Sequence, residues 1–332
     1  MHLYENFTEC YLGLLQKVYN EPEYECSPRG LKIKELLGVR FEIKNPRHRL
    51  LFVRNRKMSM EYLVGELLWY FSGNDSTEWI SKYSSFWKNI SDDGKTANSA
   101  YGARIFRASP GVTGDNFVQW DYVLNELRND QDSRRAVIHI RSPWDSMNAK
   151  LDVPCTMTLQ FLIRDQELHL VVSMRSSDII LGLTYDVPAF TMFQEQLANE
   201  LGIGVGRYIH VSNSLHIYDR HFAMAESILS PEEIGQSKLE AIACGEMPVF
   251  DGKVPIDELM EFEDGLWKSK SSSEIRELFD AFCMIERDDI NYWIDFCKIL
   301  IMKRCNSIIG LDRKEYLDAL SYQGFRKIGG YK

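Results

Sequence analysis

The stretch from residue 152 to residue 186 contains side chains that could bind an anion and carry out nucleophilic attack. Cys155 follows a proline and is a candidate nucleophile, because a thiolate is a strong nucleophile. A lone cysteine is more often inert packing, so it gains significance only beside a cation that lowers the pKa of its thiol. Arg175 could supply that charge, and together with Ser176 it is suited to hold an anion. The stretch therefore predicts covalent chemistry beside an anion-binding site.

Two carboxylates, Asp178 and Asp186, lie on either side of a glycine turn at Gly182. Asp186 immediately precedes the segment 187–201, which has the apolar spacing of a helix and ends at Gly202. Aspartate is a favoured helix cap, so one interpretation gives Asp186 only that structural role. The other interpretation places its carboxylate in a ligand pocket, and the residues alone leave both open.

Glu66 lies in a segment, 60–72, that is apolar on nearly all sides and is predicted to form a buried helix. A buried carboxylate is costly unless it is paired or functional, and burial raises its pKa. Glu66 either holds a buried amide or arginine as a structural acid, or it manages protons and water in an active site. The aromatic segment 74–100 is predicted to form an irregular wall, in which Trp87 could face a flat ligand.

Three further arginines are candidates for binding an anion. Arg29 precedes a glycine in a loop, although an arginine in such a place is more often simply solvated. Arg134 and Arg135 are adjacent at the start of a predicted strand, so their side chains point to opposite faces. For both to reach one phosphate, the loop or a second subunit must help.

The composition excludes several classes of protein. The chain has 332 residues, a hydrophobic fraction of 45% and a net charge of −9, which are typical of a globular protein and unfavourable for coating nucleic acid. Seven cysteines without a Cys-x-x-Cys pair argue against a disulfide framework and a zinc ribbon, and no metal is predicted. The first residues lack a signal-peptide pattern and no apolar run reaches about 18 residues, so we expect a cytoplasmic protein without membrane contact.

Hydrophobic periodicity divides the chain into helices and strands. Helices are predicted at 3–19, 60–72, 117–128 and 187–201, and strands at 36–43, 49–54, 136–141, 157–164, 168–174 and 208–211. Beyond about residue 226, further helices are predicted at 231–243, 272–285, 289–305 and 313–321. We therefore divide the chain into a core, 1–225, and a mostly helical C-terminal region, 226–332, that continues the same domain.

Several short motifs resemble, in their order and spacing, those of the thymidylate synthase family. They are Gly65-Glu66-Leu67-Leu68-Trp69, Ala100-Tyr101-Gly102, Asp132-Ser133-Arg134-Arg135, Pro154-Cys155, Gln160-Phe161, Arg175-Ser176-Ser177-Asp178, Leu181-Gly182 and His216-Ile217-Tyr218 with His221. The resemblance implies an α/β (α+β) fold with a large twisted mixed sheet flanked by helices, here with a helical C-terminal extension. It also implies a homodimer whose sheets pack face to face, so that an arginine pair crosses to the other subunit's phosphate.

The resemblance also assigns roles residue by residue. Cys155 would attack C6 of a pyrimidine nucleotide monophosphate, and C5 would then attack the methylene of 5,10-methylenetetrahydrofolate, the implied co-substrate. Glu66 would organise water and protons near the base. The nucleotide would be bound by Arg29, Arg175, Ser176, Asp186, His216 and Tyr218, with Arg134 and Arg135 reaching in from the second subunit. The folate would contact Asp178, Trp87 and Gly182.

Two departures from the family pattern predict a cytosine substrate. The usual Cys-His is Cys155-Thr156 here, and Asp186 stands where an asparagine is usual. An asparagine amide suits the O4 and N3–H of uracil, whereas a carboxylate accepts from the N4 amino group of cytosine and can share a proton with N3. The combination resembles the deoxycytidylate hydroxymethylases. That branch implies that water adds to the exocyclic methylene and that tetrahydrofolate leaves unoxidised.

The main prediction is therefore hydroxymethyl transfer to C5 of a cytosine nucleotide, with dCMP preferred. One alternative is a CMP hydroxymethylase of nucleoside biosynthesis, and another is a thymidylate synthase-type C5 methyltransferase acting on dUMP or UMP. A third class is a nucleotide- or RNA-binding relative without turnover, which would have no use for Cys155. The C-terminal third matches neither branch of the family, and it shows no family-type tail to close over folate.

Overall fold

The computed structural model describes residues 2–110, 116–147 and 151–331, and its centre is one large mixed sheet. The strands are β1 (His2–Tyr4), β2 (Tyr24–Cys26), β3 (Ile33–Ile43), β4 (Ser109–Pro110), β5 (Asn116–Phe117), β6 (Val137–His139), β7 (Thr156–Arg164), β8 (Glu167–Met174), β9 (Ser177–Asp178) and β10 (Gly204–Tyr218). The main sheet has the order β1-β3-β10-β8-β7-β6, with β2 paired to β3 and β9 to β10, while β4 and β5 form a separate ribbon. Because β10 runs parallel to β8 and antiparallel to β3, the sheet is mixed, as expected.

Helices surround this sheet and form the C-terminal region. They are α1 (Phe7–Asn20), α2 (Met60–Phe71), α3 (Thr77–Ser81), α4 (Phe86–Ile90), α5 (Tyr101–Ile105), α6 (Gln119–Asn129), α7 (Leu183–Leu201), α8 (Phe222–Ile228), α9 (Pro231–Cys244), α10 (Ile256–Lys268), α11 (Ser272–Cys283), α12 (Ile290–Arg304), α13 (Arg313–Asp318) and α14 (Gln323–Gly329). α1 and α7 pack on the sheet. They cover the face that carries Phe41, Leu170 and Tyr208, all fully buried.

The opposite face of the sheet is less covered. Leu162, Val171 and Val211 alternate along their strands with the buried residues of the first face, and each is only partly buried. An antiparallel or mixed sheet with a half-open apolar face has room to pack against another layer.

The backbone agrees with most of the predicted elements and corrects others. The predicted helix 60–72 is confirmed as α2, whose first turn is capped by the side chain of Ser59. The predicted strand 49–54 is wrong, although its apolar residues are buried. There the hydroxyl of Thr8 bonds to the carbonyl of Leu50 and accepts from the amide of Phe52, so the backbone is satisfied without a strand partner. Helices α10 and α14 were not predicted.

The C-terminal helices are packed against the core. α10, α12 and α14 all contact α2, the helix that carries Glu66. The division of the chain at about residue 225 stays a prediction. Within the described ranges, no helix combines the length and apolarity needed to cross a membrane.

Candidate active site

Cys155 lies directly before β7, where this strand meets the end of β8. A register shift between Thr156 and Thr158 marks a bulge at this point, a feature that re-aims side chains near active sites. The backbone amide of Arg175 donates to the carbonyl of Cys155 at 2.9 Å. The Arg175 guanidinium donates to the carbonyls of Val153 and Pro154 and lies 3.5 Å from the Cys155 sulfur. The predicted pairing of Cys155 with Arg175 is thus present in the geometry.

Opposing effects act on the pKa of the Cys155 thiol, and burial is the largest of them. Burial raises its pKa above the usual value, and the charges of Asp186 and Asp152 add to that shift. Arg175 and Arg29 lower the pKa but do not outweigh burial. Arginine therefore lowers the pKa of Cys155 as expected, but burial raises it by more. The sequence alone does not show how deeply the thiol is buried.

Glu66 is buried on α2 and is surrounded by tyrosines. Its carboxylate accepts hydrogen bonds from the hydroxyls of Tyr62 at 2.5 Å and Tyr70 at 3.2 Å. Burial raises the pKa of Glu66 to about 7, while the two tyrosine hydrogen bonds act in the opposite direction. A carboxyl that titrates near neutral pH is suited to accept and return a proton. These contacts favour the proton-handling interpretation over that of a structural acid bound to an arginine or an amide.

Asp186 lies within the first turn of α7 rather than at its cap. The helix begins at Leu183 with Gly182 as its N-cap, so the interpretation of Asp186 as the cap of a helix 187–201 is wrong. A Cβ atom on Gly182 would lie 3.3 Å from Oδ2 of Asp186, so this glycine leaves room for the carboxylate. Burial raises the pKa of Asp186 well above its usual value, and the nearby charges of Glu66 and Asp178 contribute. Burial and these neighbouring charges therefore favour the protonated form of Asp186.

Asp178 and His216 are neighbours on the paired strands β9 and β10. The Asp178 carboxylate accepts from the amides of Ile180 at 2.9 Å and Leu181 at 3.2 Å, which folds the chain towards α7. Burial lowers the pKa of His216, while the charge of Asp178 raises it. The rings of His216 and Tyr218 meet edge to face at 5.0 Å.

The remaining predicted anion-binding residues are distributed over two places. Arg29 is exposed and has a left-handed φ of 55°, yet its charge lowers the pKa of Cys155. Ser176 is partly buried beside Arg175. Arg134 and Arg135 are exposed next to β6, where Arg135 donates to Glu126 at 2.9 Å. Within one chain, neither of this pair contacts the Cys155 cluster in the described part of the structure.

Aromatic side chains surround Glu66 and Asp186, and the sequence predicted a role for only some of them. Trp87 is buried and its indole N–H donates to the Tyr62 hydroxyl at 3.1 Å, so it supports the partner of Glu66. Tyr101 is buried, and the charges of Asp186 and Cys155 both raise its pKa. Tyr62 and Tyr70 are one turn before and after Glu66, a spacing that could have indicated their role.

In the described ranges, no group of three or more His, Cys, Asp or Glu side chains could hold a metal ion.

The chain is similar in sequence to known proteins. A family model described as thymidylate synthase matches residues 9–253. A deoxyuridylate hydroxymethyltransferase of Bacillus phage SP01 is 33% identical over 219 residues, which cover 64% of this chain and 57% of that protein. The chain thus spans less than two thirds of the relative's length.

The raised pKa of Glu66 predicts a pH-dependent stability. The native state keeps a proton that the unfolded state loses above pH 4.5, so the free energy of unfolding should fall as the pH rises from 4.5 to about 7. Glu66→Gln should remove on the order of 3 kcal/mol of this fall. Urea unfolding at pH 5 and pH 7.5 measures it, with Glu78→Gln, an exposed carboxylate, as the control. An unchanged slope in Glu66→Gln would mean that Glu66 is already ionised at pH 5.

Proposed function

Because this chain belongs to the thymidylate synthase family, we propose that it transfers a one-carbon unit from 5,10-methylenetetrahydrofolate to C5 of a pyrimidine nucleotide monophosphate. The observation that carries the proposal is the contact of Cys155 with Arg175, together with the buried carboxyls of Asp186, whose charge acts on Cys155, and of Glu66, whose charge acts on Asp186. In the proposed reaction the Cys155 sulfur bonds to C6 of the base, and C5 becomes the nucleophile. Arg175, 3.5 Å from the sulfur, stabilises the thiolate that attacks.

In the proposed reaction C5 attacks the methylene carbon of the folate and loses its proton, and tetrahydrofolate leaves unoxidised. Water then adds to the exocyclic methylene and the bond between Cys155 and C6 breaks, which releases a 5-hydroxymethyl nucleotide. Glu66 supports this outcome, because a carboxyl with a pKa of about 7 can take a proton from water at neutral pH. The tyrosine hydroxyls around it keep the carboxylate oriented. The relative from Bacillus phage SP01 is itself described as a hydroxymethyltransferase.

The base in the proposed reaction is cytosine, with dCMP the preferred nucleotide. When it is protonated, the form that its raised pKa favours, Asp186 offers one O–H donor and one carbonyl acceptor. The O–H can donate to N3 of cytosine and the carbonyl can accept from the N4 amino group. Cytosine N3 accepts a proton more readily than uracil O4, so the acid favours cytosine when charge develops on the ring.

A second candidate substrate is dUMP, and one observation favours it. The relative at 33% identity is described as acting on deoxyuridylate. A neutral Asp186 could also pair with uracil, if its O–H donates to O4 and its carbonyl accepts from N3–H. The two candidates share Cys155 and Glu66 and differ only in how Asp186 meets the base.

A basic cavity next to the proposed pterin residues supports folate as the co-substrate. It has a volume of about 850 Å³, and its cationic side chains are Arg54, Arg56, Lys57, Arg326 and Lys327. Arg56 donates to the carbonyl of Ile180 at 2.6 Å, which links the cavity to the segment between Asp178 and Gly182. The glutamate tail of a folate is anionic and would be attracted to such a cavity.

We also propose that the active unit is a homodimer. The half-open face with Leu162, Val171 and Val211 provides a surface on which a second sheet can pack. Arg134 and Arg135 are exposed, so they are available to a neighbouring subunit's nucleotide rather than to their own Cys155. In this arrangement each site needs two chains.

Incubation with the folate and each of dCMP, CMP, dUMP and UMP tests the reaction. Mass spectrometry should find a CH2OH addition, with dCMP the best substrate. Cys155→Ser should fold but lose turnover, because a hydroxyl is a far weaker nucleophile than a thiolate at neutral pH. Cys283→Ser, a partly buried cysteine in α11, is the matched control. A CH3 addition would show methyl transfer instead, and no addition to any nucleotide would contradict the proposal.

Asp186→Asn tests the choice of base at nearly constant volume. The amide can make the same hydrogen bonds as a protonated carboxyl but cannot transfer a proton to N3, so kcat/KM for dCMP should fall relative to that for dUMP. Proton transfer by a positioned side chain contributes roughly a hundredfold or more to a rate, so the preference should change by at least about tenfold. Asp257→Asn, an exposed residue of α10, is the control. An unchanged ratio would remove Asp186 as the determinant of the base.

Mixing two inactive variants tests the shared site. In a heterodimer of Arg134→Ala and Cys155→Ser, one of the two sites combines an intact Cys155 with an intact Arg134. Activity should therefore return when the subunits exchange. A mixture of Cys155→Ser with Glu66→Ala should stay inactive, because both changes damage the site within their own chain. Failure of the first mixture, with exchange demonstrated by labelled subunits, would exclude a shared site.

A further inference from the structure

A short strap, residues 152–155, leads to the nucleophile, and its first residue is anchored. Asp152 is buried, with 4% of its surface exposed. Its carboxylate accepts from the backbone amide of Ser99 at 2.9 Å and also from the Ser99 hydroxyl. Asn98 donates to the backbone carbonyl of Asp152 at 3.0 Å. Both the side chain and the backbone of Asp152 are thus fixed to the loop before α5.

The loop that binds Asp152 is itself fixed by a second set of hydrogen bonds. Asn98 also donates to the Asp145 carboxylate at 3.0 Å. Arg104 binds both oxygens of Asp145 at 2.8 Å and donates to the backbone carbonyl of Asn98 at 2.6 Å. Arg104 and the other hydrogen-bond donors lower the pKa of Asp145 to about 2, so this ion pair persists at neutral pH. The loop at Ser99 is therefore held in place independently, and it does not move together with Asp152.

Arg175 fixes the end of the strap that carries Cys155. Its guanidinium binds the carbonyls of Val153 and Pro154, and its backbone amide binds that of Cys155. Pro154 has a fixed φ, which leaves little freedom between the two anchors. A displacement of Asp152 is therefore transmitted along the strap to the Cys155 sulfur.

We propose that Asp152 is a positioning residue for Cys155: its hydrogen bonds to Ser99 keep the thiol within reach of the Arg175 guanidinium. The proposal rests on the proposed function only in taking Cys155 as the nucleophile. Sequence reasoning gave Asp152 no role.

The negative charge of Asp152 has a second, opposing effect. It raises the pKa of Cys155, whereas Arg175 lowers it. Asp152→Asn separates the two effects, because its amide oxygen can accept from the Ser99 amide while its NH2 group donates to the Ser99 hydroxyl. Asp152→Ala removes the charge and the anchor together.

The rate of alkylation of Cys155 by iodoacetamide, followed against pH by peptide mass spectrometry, tests the proposal. In Asp152→Asn the midpoint of the pH profile should lie below that of the unchanged protein, because a negative charge is gone. In Asp152→Ala it should lie above that of Asp152→Asn, because the sulfur loses its place beside Arg175. Charge alone predicts equal midpoints in the two variants, and that result would overturn the proposal.

Turnover gives a second readout. Asp152→Asn should keep kcat within about threefold, while Asp152→Ala should lose at least about tenfold in kcat with a nearly unchanged KM for the nucleotide. A normal kcat in folded Asp152→Ala would contradict the proposal. If the unchanged protein turns over none of the four nucleotides, the proposed function fails, and the alkylation profiles still decide the role of Asp152.

Asp295 provides the matched control. It is buried on α12, and its carboxylate accepts from the amides of Ser321 and Tyr322 at 2.9 Å. Asp295→Ala should lower stability without moving the midpoint for Cys155. If Asp152→Ala does not fold, Ser99→Ala removes only the hydroxyl donor and should move the midpoint upward. An Asp152 with a merely structural role would behave as Asp295 does, with no shift in Ser99→Ala.

Discussion

Burial of a cluster of ionisable groups is the constraint on which the rest of the site depends. Loss of water is the main reason why the pKa of Cys155, of Glu66 and of Asp186 is raised. Charges interact more strongly between buried groups than in water, so a change in the protonation of one group alters the pKa of the others. The hydroxyls of Tyr62 and Tyr70 limit the shift at Glu66 because they stabilise its ionised form.

The fold forms this buried cluster by bringing strand ends and a helix start together. β7 begins beside the end of β8, which places Cys155 next to Arg175. The turn that follows β9 leads through Gly182 into α7, so Asp186 is held by a helix rather than by a loop. Side chains on such elements are positioned more accurately than those on loops. α2 adds Glu66 to the cluster, and α10, α12 and α14 pack against α2 from the C-terminal region.

Elements that depend on local sequence pattern were predicted correctly. Features that depend on contacts between distant residues were not. α2 was predicted closely because its apolar residues and the Ser59 cap are local signals. The start of α7 was placed four residues too late, because the helix begins at Leu183 and continues through Pro188. The apolar run around Leu50 was taken for a strand, but the Thr8 hydroxyl replaces its strand partner. The pKa direction at Cys155 and the anchor of Asp152 on Ser99 depend on burial and on contacts between distant segments, which periodicity does not report.

Substrate preference in the proposed reaction depends on where the proton of Asp186 goes. By hydrogen-bond pattern alone, a neutral carboxyl can pair with either pyrimidine base. When Cys155 adds to C6, negative charge develops towards N3 and the substituent at C4, and a proton delivered there stabilises it. Burial raises the pKa of Asp186 and the charge of Glu66 adds to that shift, so both favour an Asp186 that carries a proton for the base. An aspartate at a position where the family usually has asparagine therefore changes the number of protons available in the site as well as its hydrogen-bond pattern.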